Sequence, residues 1–247
     1  MTGGVIQLVA YGTENIYLSG NPQMSFFKCV YKRHTNFAIE YIEDYFDKTV
    51  DFGKTTHFSI PRSGDLVHNM FIKIKLPALN QSVNSSTWVG YVNGVGNVLL
   101  KDVNVEIGGQ VIDRHRSEWL DIWNELTNHD ENYHEMIGNY QSDYSLKTNA
   151  LSASTYFVPL NFWFNRHSCA AIPLVALQYH EVIITVEFRD AKECIKSDVS
   201  ITSPLDSAGN TLSITDASVI TEYIFLDAHE RTRFSKNVHE YLIDQVQ

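Results

Sequence analysis

Cysteine is scarce in this chain. Cys29, Cys169 and Cys194 are the three in 247 residues, far apart and without a CxxC pair. An odd, scattered set argues against a disulfide framework or a zinc site, and it fits a reducing compartment. Long apolar runs are missing as well. No stretch approaches the roughly 18 consecutive apolar residues of a membrane-spanning helix. The start, Met1 to Gly4, has no basic region followed by an apolar one, so it does not read as a signal peptide. Asn80-Gln81-Ser82 and Asn84-Ser85-Ser86 fit the glycan acceptor pattern, but without a secretory signal they read as a polar loop. Basic residues are in deficit: 19 Lys and Arg against 29 Asp and Glu leave a net charge of −10. A protein that wraps nucleic acid needs clustered cations to neutralise phosphates. That class is disfavoured for the chain as a whole, while a local basic patch stays open.

Catalytic motifs are absent too. His134-Glu135, His180-Glu181, His229-Glu230 and His239-Glu240 each begin like a zinc-protease motif, but none has a second His four residues after the first. Gly94-Val95-Gly96 lacks the third glycine and the strand-turn-helix setting of a dinucleotide site. There is no GxxxxGK[ST] phosphate loop and no GxSxG elbow. Glu181 and Glu187 share a strand face about 20 Å apart by strand rise, too far for a catalytic carboxylate pair. No His motif points to any of the cysteines as a nucleophile. Hence no enzyme, no catalytic residue, no metal and no cofactor is expected.

What the chain does have is alternation. In Gln178 to Phe188, Val182, Ile184, Val186 and Phe188 take one face, and Tyr179, Glu181, Ile183, Thr185 and Glu187 the other. Branched residues dominate and neither Gly nor Pro interrupts, which predicts a strand with one apolar face across the middle of a sheet. Leu66 to Leu76 repeats the pattern and Pro77 ends it. Thr55 to Ile60 and Thr155 to Leu160 read as short strands. Val98 to Ile107, with Leu99, Val103, Val105 and Ile107 inward, leads through Gly108-Gly109 into Gln110 to Asp113, a hairpin signal. Phe37 to Phe46 carries acids on both faces, as an edge strand does. Ala217 to Asp227 is apolar on both faces and belongs in the centre. The chain therefore reads as an all-β sandwich or barrel. With 19% charged and 12% aromatic residues, most of it should be ordered.

Two segments break the β pattern. Ser117 to Thr127 has Trp119, Leu120, Ile122, Trp123 and Leu126 at helical spacing, with Ser117 as N-cap. Asp130 to Ile137 reads as a second short helix stopped by Gly138. Ala78 to Asn97 and Tyr140 to Ser154 read as exposed loops, Ala191 to Asp216 as a long connection with weak strands, and Glu230 to Gln247 as mixed and partly helical. Met1 to Asn36 is cut into short pieces by glycines, yet it carries Phe26, Phe27, Lys28, Tyr31, Lys32 and Arg33. This aromatic and basic cluster is either a packed segment with solvated cations or a surface for a partner.

Several stretches resemble a known family. They are Gly3-Gly4, Gln7 to Gly12, Tyr17-Leu18, Gly20 to Gln23, Phe26 to Lys28, Tyr31 to Ala38, Arg62 to Leu66, Val105 to Gln110, Trp119 to Leu126, Pro173 to Val182 and Tyr223 to Asp227, with Glu230-Arg231 and Phe234. Their order and wording are similar to the major capsid proteins of nucleocytoplasmic large DNA viruses, of the chlorella virus and iridovirus type. The resemblance implies an eight-stranded jelly roll with short helices in its loops. The strand count is expected to be completed by a weak strand in Ala191 to Asp216. It implies an N-terminal segment 1–36, a jelly-roll domain 37–227, and a segment 228–247 leading towards a second jelly roll absent from this chain. The family has two jelly rolls in tandem, and three copies make a pseudo-hexagonal trimer that tiles an icosahedral shell. Implied partners are further copies of the chain and minor capsid proteins, with the inner viral membrane as another candidate and no sequence-specific nucleic acid. The implied location is the virion, assembled in the host cytoplasm. Phe26, Phe27, Lys28, Tyr31, Lys32 and Arg33 become the candidate subunit interface. Two rivals on the same architecture are a lectin-like module, holding a sugar in loops Ala78 to Asn97 and Tyr140 to Ser154, and a cupin-like metalloenzyme. The latter needs His and Glu on the inner strand faces, where this chain has Val, Ile and Leu.

Overall fold

The computed structural model describes residues 3–9, 12–13, 35–80, 89–127, 131–140, 142–198 and 204–246. Its strands are β1 (Phe37–Tyr45), β2 (Thr55–Ser59), β3 (Leu66–Leu76), β4 (Val89–Tyr91), β5 (Leu100–Ile107), β6 (Gln110–Arg116), β7 (Ser154–Pro159), β8 (Ile172–Pro173), β9 (Val182–Phe188), β10 (Ile195–Ser197) and β11 (Asp216–Leu226). One sheet runs β1-β11-β3-β7, with β8 added beside β3, and the other runs β2-β9-β5-β6. Every pairing is antiparallel. Apart from the β5–β6 hairpin, each successive strand of these two paths crosses to the opposite sheet. That is the double Greek-key winding of a jelly roll.

Period-two patterning drives the sheets together. Val182, Ile184, Val186 and Phe188 of β9 are all buried, and so are Met70, Ile72, Ile74 and Leu76 of β3. Ile184 lies opposite Phe58 on one side and Val105 on the other. Phe46 meets Phe58 and Phe188 edge-on, with ring centroids 6.1 and 6.3 Å apart, a favoured geometry. As expected, acid-bearing β1 lies at an edge and β11 lies between β1 and β3. The turn between β5 and β6 places Gly108 and Gly109 at φ 60° and 80°. Both central residues of such a tight hairpin need positive φ, which glycine tolerates.

Several expectations need correction. The opening strand begins at Val182 rather than Gln178. Tyr179 is 92% exposed, and the Glu181 carbonyl accepts the Gly108 amide in the turn. Val98 and Leu99 belong to a short helix (Val95–Leu99), so Leu99 is buried from a helix and not from β5. Ala78 to Asn97 is not simply an exposed loop: Tyr91, Val95 and Asn97 are buried there. Tyr140 to Ser154 holds a helix, Asp143–Asn149, capped by the Ser142 hydroxyl accepting the Ser145 amide. The weak strand in Ala191 to Asp216 exists as β10, but it pairs with β4 and adds to neither large sheet. The C-terminal helix covers Ala228–Lys236, and residues 237–246 continue without helix or strand.

Candidate interaction surfaces

Phe26, Phe27, Lys28, Tyr31, Lys32 and Arg33 lie outside the described residues. Their flanks are described. Upstream, Gly3–Val9 forms a helix, α1, which packs on β1 and β11. The Gly3 and Gly4 amides donate to the two Glu40 carboxylate oxygens at 3.1 and 2.9 Å. Free amides at a helix start favour such an acceptor. A Cβ on Gly4 would sit 2.6 Å from the Phe225 ring, so this close approach requires glycine. Ile6 and Val9 face outward, 58% and 73% exposed. Downstream, Phe37 packs against a small cluster of Leu66, Ala171, Ile224 and Leu226, joined by Phe234.

The outer face of the first sheet mixes rings and charge. Ile39, Tyr41 and Tyr45 stand exposed along β1. Glu43 accepts from Lys73 at 2.8 Å and from the Ser218 hydroxyl at 2.6 Å. Lys73, and then Ser218, hold the Glu43 carboxyl below the usual carboxylate range. Glu222, buried in β11, accepts from Asn69 at 2.5 Å. Burial and this neighbouring carboxylate push the Tyr41 phenol up.

A second surface is the excursion between β6 and β7. Helix Ser117–Thr127 forms as its spacing predicts, burying Leu120 and Asn124 and leaving Ile122 and Leu126 51% and 69% exposed. Ser117, expected as N-cap, is its first residue, and its hydroxyl accepts from Arg189 at 2.7 Å. Beneath it His115 stacks on Phe162 at 4.4 Å. Trp119 leans on Trp123 at 5.8 Å, and Arg166 caps Trp123 at 4.6 Å, a cation–π contact. Tyr144 and Leu151, further along the excursion, are exposed.

The third surface is the chain after β11, which the sequence marked as a partly helical C-terminal segment but not as a surface. The Asp227 side chain accepts from the Ala228 amide at the start of helix Ala228–Lys236. Residues 237–246 then run as a strap back across the end of the sandwich. His239 stacks on Phe234 with centroids 5.3 Å apart, and the Tyr241 hydroxyl donates to the Ala171 carbonyl at 3.1 Å. The strap ends on β6, where the Val246 amide donates to Asp113 at 3.4 Å. Asp113 is buried and faces His115 Nε2 at 3.1 Å. Burial raises its carboxyl, but His115 and the Arg114 and Val246 amides outweigh that and leave it below the usual range. Val238 and Leu242 project from the strap almost fully exposed.

Among the described residues no group of three or more His, Cys, Asp or Glu is placed to hold a metal. Cys194 is buried, and burial pushes its thiol up to about 12, which keeps it from ionising. The Glu-paired histidines are dispersed: His134 bonds Asn139, His239 lies in the strap, and the His229 side chain is 87% exposed.

A two-sheet jelly roll is an architecture of viral capsid and lectin domains, and this one carries apolar and aromatic side chains on its exposed surfaces. The family is settled by likeness: residues 25–227 match the profile of the major capsid protein N-terminus, and the chain belongs to this family of viral major capsid proteins. It is 43% identical to the major capsid protein of Pyramimonas orientalis virus, matching all of this chain and 59% of that one. The major capsid protein of Phaeocystis pouchetii virus is 40% identical, again over the whole of this chain and 53% of that protein. The solved capsid of PBCV-1 contains a chain that superposes with a TM-score of 0.73 at 35% identity, covering 90% of this chain and 50% of that one. The chain thus spans about half the length of the relatives it matches.

Proposed function

We propose that this chain is the N-terminal jelly-roll half of a capsid tile. Its work is shape complementarity between subunits, without catalysis. The observation that carries this reading is the family match over residues 25–227 together with 40% identity across the full chain to a viral major capsid protein. In this reading residues 1–36 are an N-terminal segment, 37–227 the jelly-roll domain, and 228–247 the passage towards a second jelly roll. Three copies of the longer protein make a pseudo-hexagonal trimer, assembled in the host cytoplasm and placed in the virion shell. Phe26, Phe27, Lys28, Tyr31, Lys32 and Arg33 serve as a subunit interface, packed along the base of the jelly roll towards the capsid interior. They meet neighbouring subunits or minor capsid proteins there, with the inner membrane beyond. Aromatic and Arg side chains suit the centre of such an interface.

Cross-linking of purified virions with mass spectrometry tests this. The expected result is abundant cross-links between two copies of this chain, including some through Lys28 or Lys32. Absence of the chain from virions, or its presence only in trace amounts without self-links, would overturn the assignment.

A further inference from the structure

Beneath the strap lies a cavity of about 360 Å³. Ile107, Trp163, Ile172, Ala176 and Leu177 line it from the sandwich side, and Ile243, His239 and Tyr241 from the strap. Its lining includes no Asp, Glu, Lys or Arg.

The strap crosses this hollow without filling it because polar anchors hold it in place. Arg231 is fixed on Asp65 before the strap begins, at 2.9 and 3.0 Å. Tyr241 is tied to the Ala171 carbonyl at 3.1 Å, and Gln245 to the Ile112 carbonyl at 2.5 Å. Val246 ends on the Asp113 carboxylate. A chain pinned at both ends and in the middle keeps its shape whether or not the space below is occupied. Such a site is preformed, so a ligand need not order it on binding.

The chemistry of the wall selects the ligand. Enclosed apolar cavities of about 150 Å³ already take up aromatic molecules, and this hollow, larger and partly open to solvent, has room for one. Of the polar side chains at its edge, Ser235 spends its hydroxyl proton on the Thr232 carbonyl, while the Asn237 amide can both donate and accept. His239 Nε2 lies 2.6 Å from the Phe234 carbonyl. That contact requires a proton on Nε2, so in the neutral ring Nδ1 is an acceptor. The Tyr241 hydroxyl proton is used on Ala171, which leaves its oxygen as an acceptor. Uncharged donors and acceptors at the edge of an otherwise apolar wall suit an uncharged apolar molecule with one hydroxyl, which can both give and take a hydrogen bond. We infer that this cavity is a binding site for such a molecule, and that the strap is its outer wall.

The test is titration of the 247-residue protein with 2-naphthol and 1-octanol by calorimetry, with octanoate as the charged control. Saturable binding of one molecule per chain is expected, with a rise in Tm. Octanoate should bind at least about tenfold more weakly, since a carboxylate would enter an apolar site with no cation to pair it. Ala176→Trp fills the cavity and should abolish binding while the protein still melts cooperatively. No saturable binding of either hydroxyl probe up to its solubility, equal binding of octanoate, or unchanged binding to Ala176→Trp would each overturn the inference. If Ala176→Trp does not fold, methyl NMR of the wild type decides. Shifts confined to Ile107, Ile172 and Ile243 support the site, and shifts elsewhere refute it.

Discussion

The Asp65 carboxylate grips the Arg231 guanidinium at two points, 2.9 Å to Nε and 3.0 Å to Nη2, across 166 residues of sequence. The same carboxylate accepts the Leu226 amide at 2.7 Å. One buried acid therefore joins the entry of β3, the end of β11 and the helix that follows. Replacing it with alanine strands the Leu226 amide and leaves Arg231 unpaired. Asp65→Ala is expected to cost about 1–3 kcal/mol, lowering Tm by roughly 3–10 °C. Arg231→Ala should cost less, because its half-exposed side chain is screened by water and Asp65 keeps the Leu226 amide. Thermal melts of the two variants showing equal loss, or a larger loss for Arg231→Ala, would contradict this.

Ile184 is 1% exposed, between β2 and β5 on the inner face of its sheet. Ile184→Asp places an unpaired carboxylate among apolar side chains. The expected penalty is several kcal/mol, enough to unfold much of the population at room temperature. Ile184→Val removes one methylene and should cost only about 0.5–1.5 kcal/mol. Urea denaturation of both variants checks the contrast. A wild-type midpoint for Ile184→Asp would mean that β9 does not lie between the sheets.

Such core positions were legible in the sequence because a strand sorts its side chains with period two. Val182, Ile184, Val186 and Phe188 could be assigned to the core without knowing what they face. The edge position of β1 and the central position of β11 were also visible, since Glu40 and Asp44 share a face with Ala38 and Ile42, whereas Ile220 and Tyr223 are apolar on opposite faces. Alternation misled at Gln178 to Glu181, where the pattern continues but the backbone is not in a strand. Helix Val95–Leu99 was hidden because five residues are too few to display helical spacing. The anchors Asp65 to Arg231 and Asp113 to Val246 had no local signal at all. Each joins residues more than a hundred positions apart, and only the folded topology brings them together. The aromatic and basic cluster from Phe26 to Arg33 was visible by composition, but composition does not give a side chain its partner.

Acid should expose the contribution of Asp113. Its carboxyl is held below the usual range in the folded state, whereas the unfolded chain titrates near about 3.9. A depressed folded value means that the stabilisation is fully present above the unfolded value and is lost as pH falls through the folded one. The Tm of the wild type should therefore fall more steeply below about pH 4 than that of Asp113→Asn. The gap between the two proteins should be widest near neutrality and should close in acid. Differential scanning from pH 7 to 3 measures it. A gap that stays constant across this range would show that the carboxylate charge contributes nothing.

Removal of Met1 to Arg33 separates folding from assembly. The deletion takes away helix Gly3–Val9, the two amide bonds to Glu40, and the contact of Val5 with the core. It leaves every strand pairing of both sheets intact. The Glu40 side chain is part-exposed, so losing its donors is mild. The truncated chain should melt cooperatively, weakened by about 2 kcal/mol, or roughly 4–8 °C. A broad, non-cooperative melt would mean that the segment belongs to the core. The assembly role is tested in the longer protein, where this deletion is expected to abolish incorporation into shells. A finer variant keeps α1 and changes only the cluster: Phe26→Ser, Phe27→Ser and Tyr31→Ser together. If these rings are the interface, the triple variant should match the wild type in Tm and still fail to assemble, because only contacts between chains are lost. Shells formed normally by the triple variant would remove the cluster from the interface. A drop in Tm equal to that of the full deletion would instead show the rings packed within the chain itself.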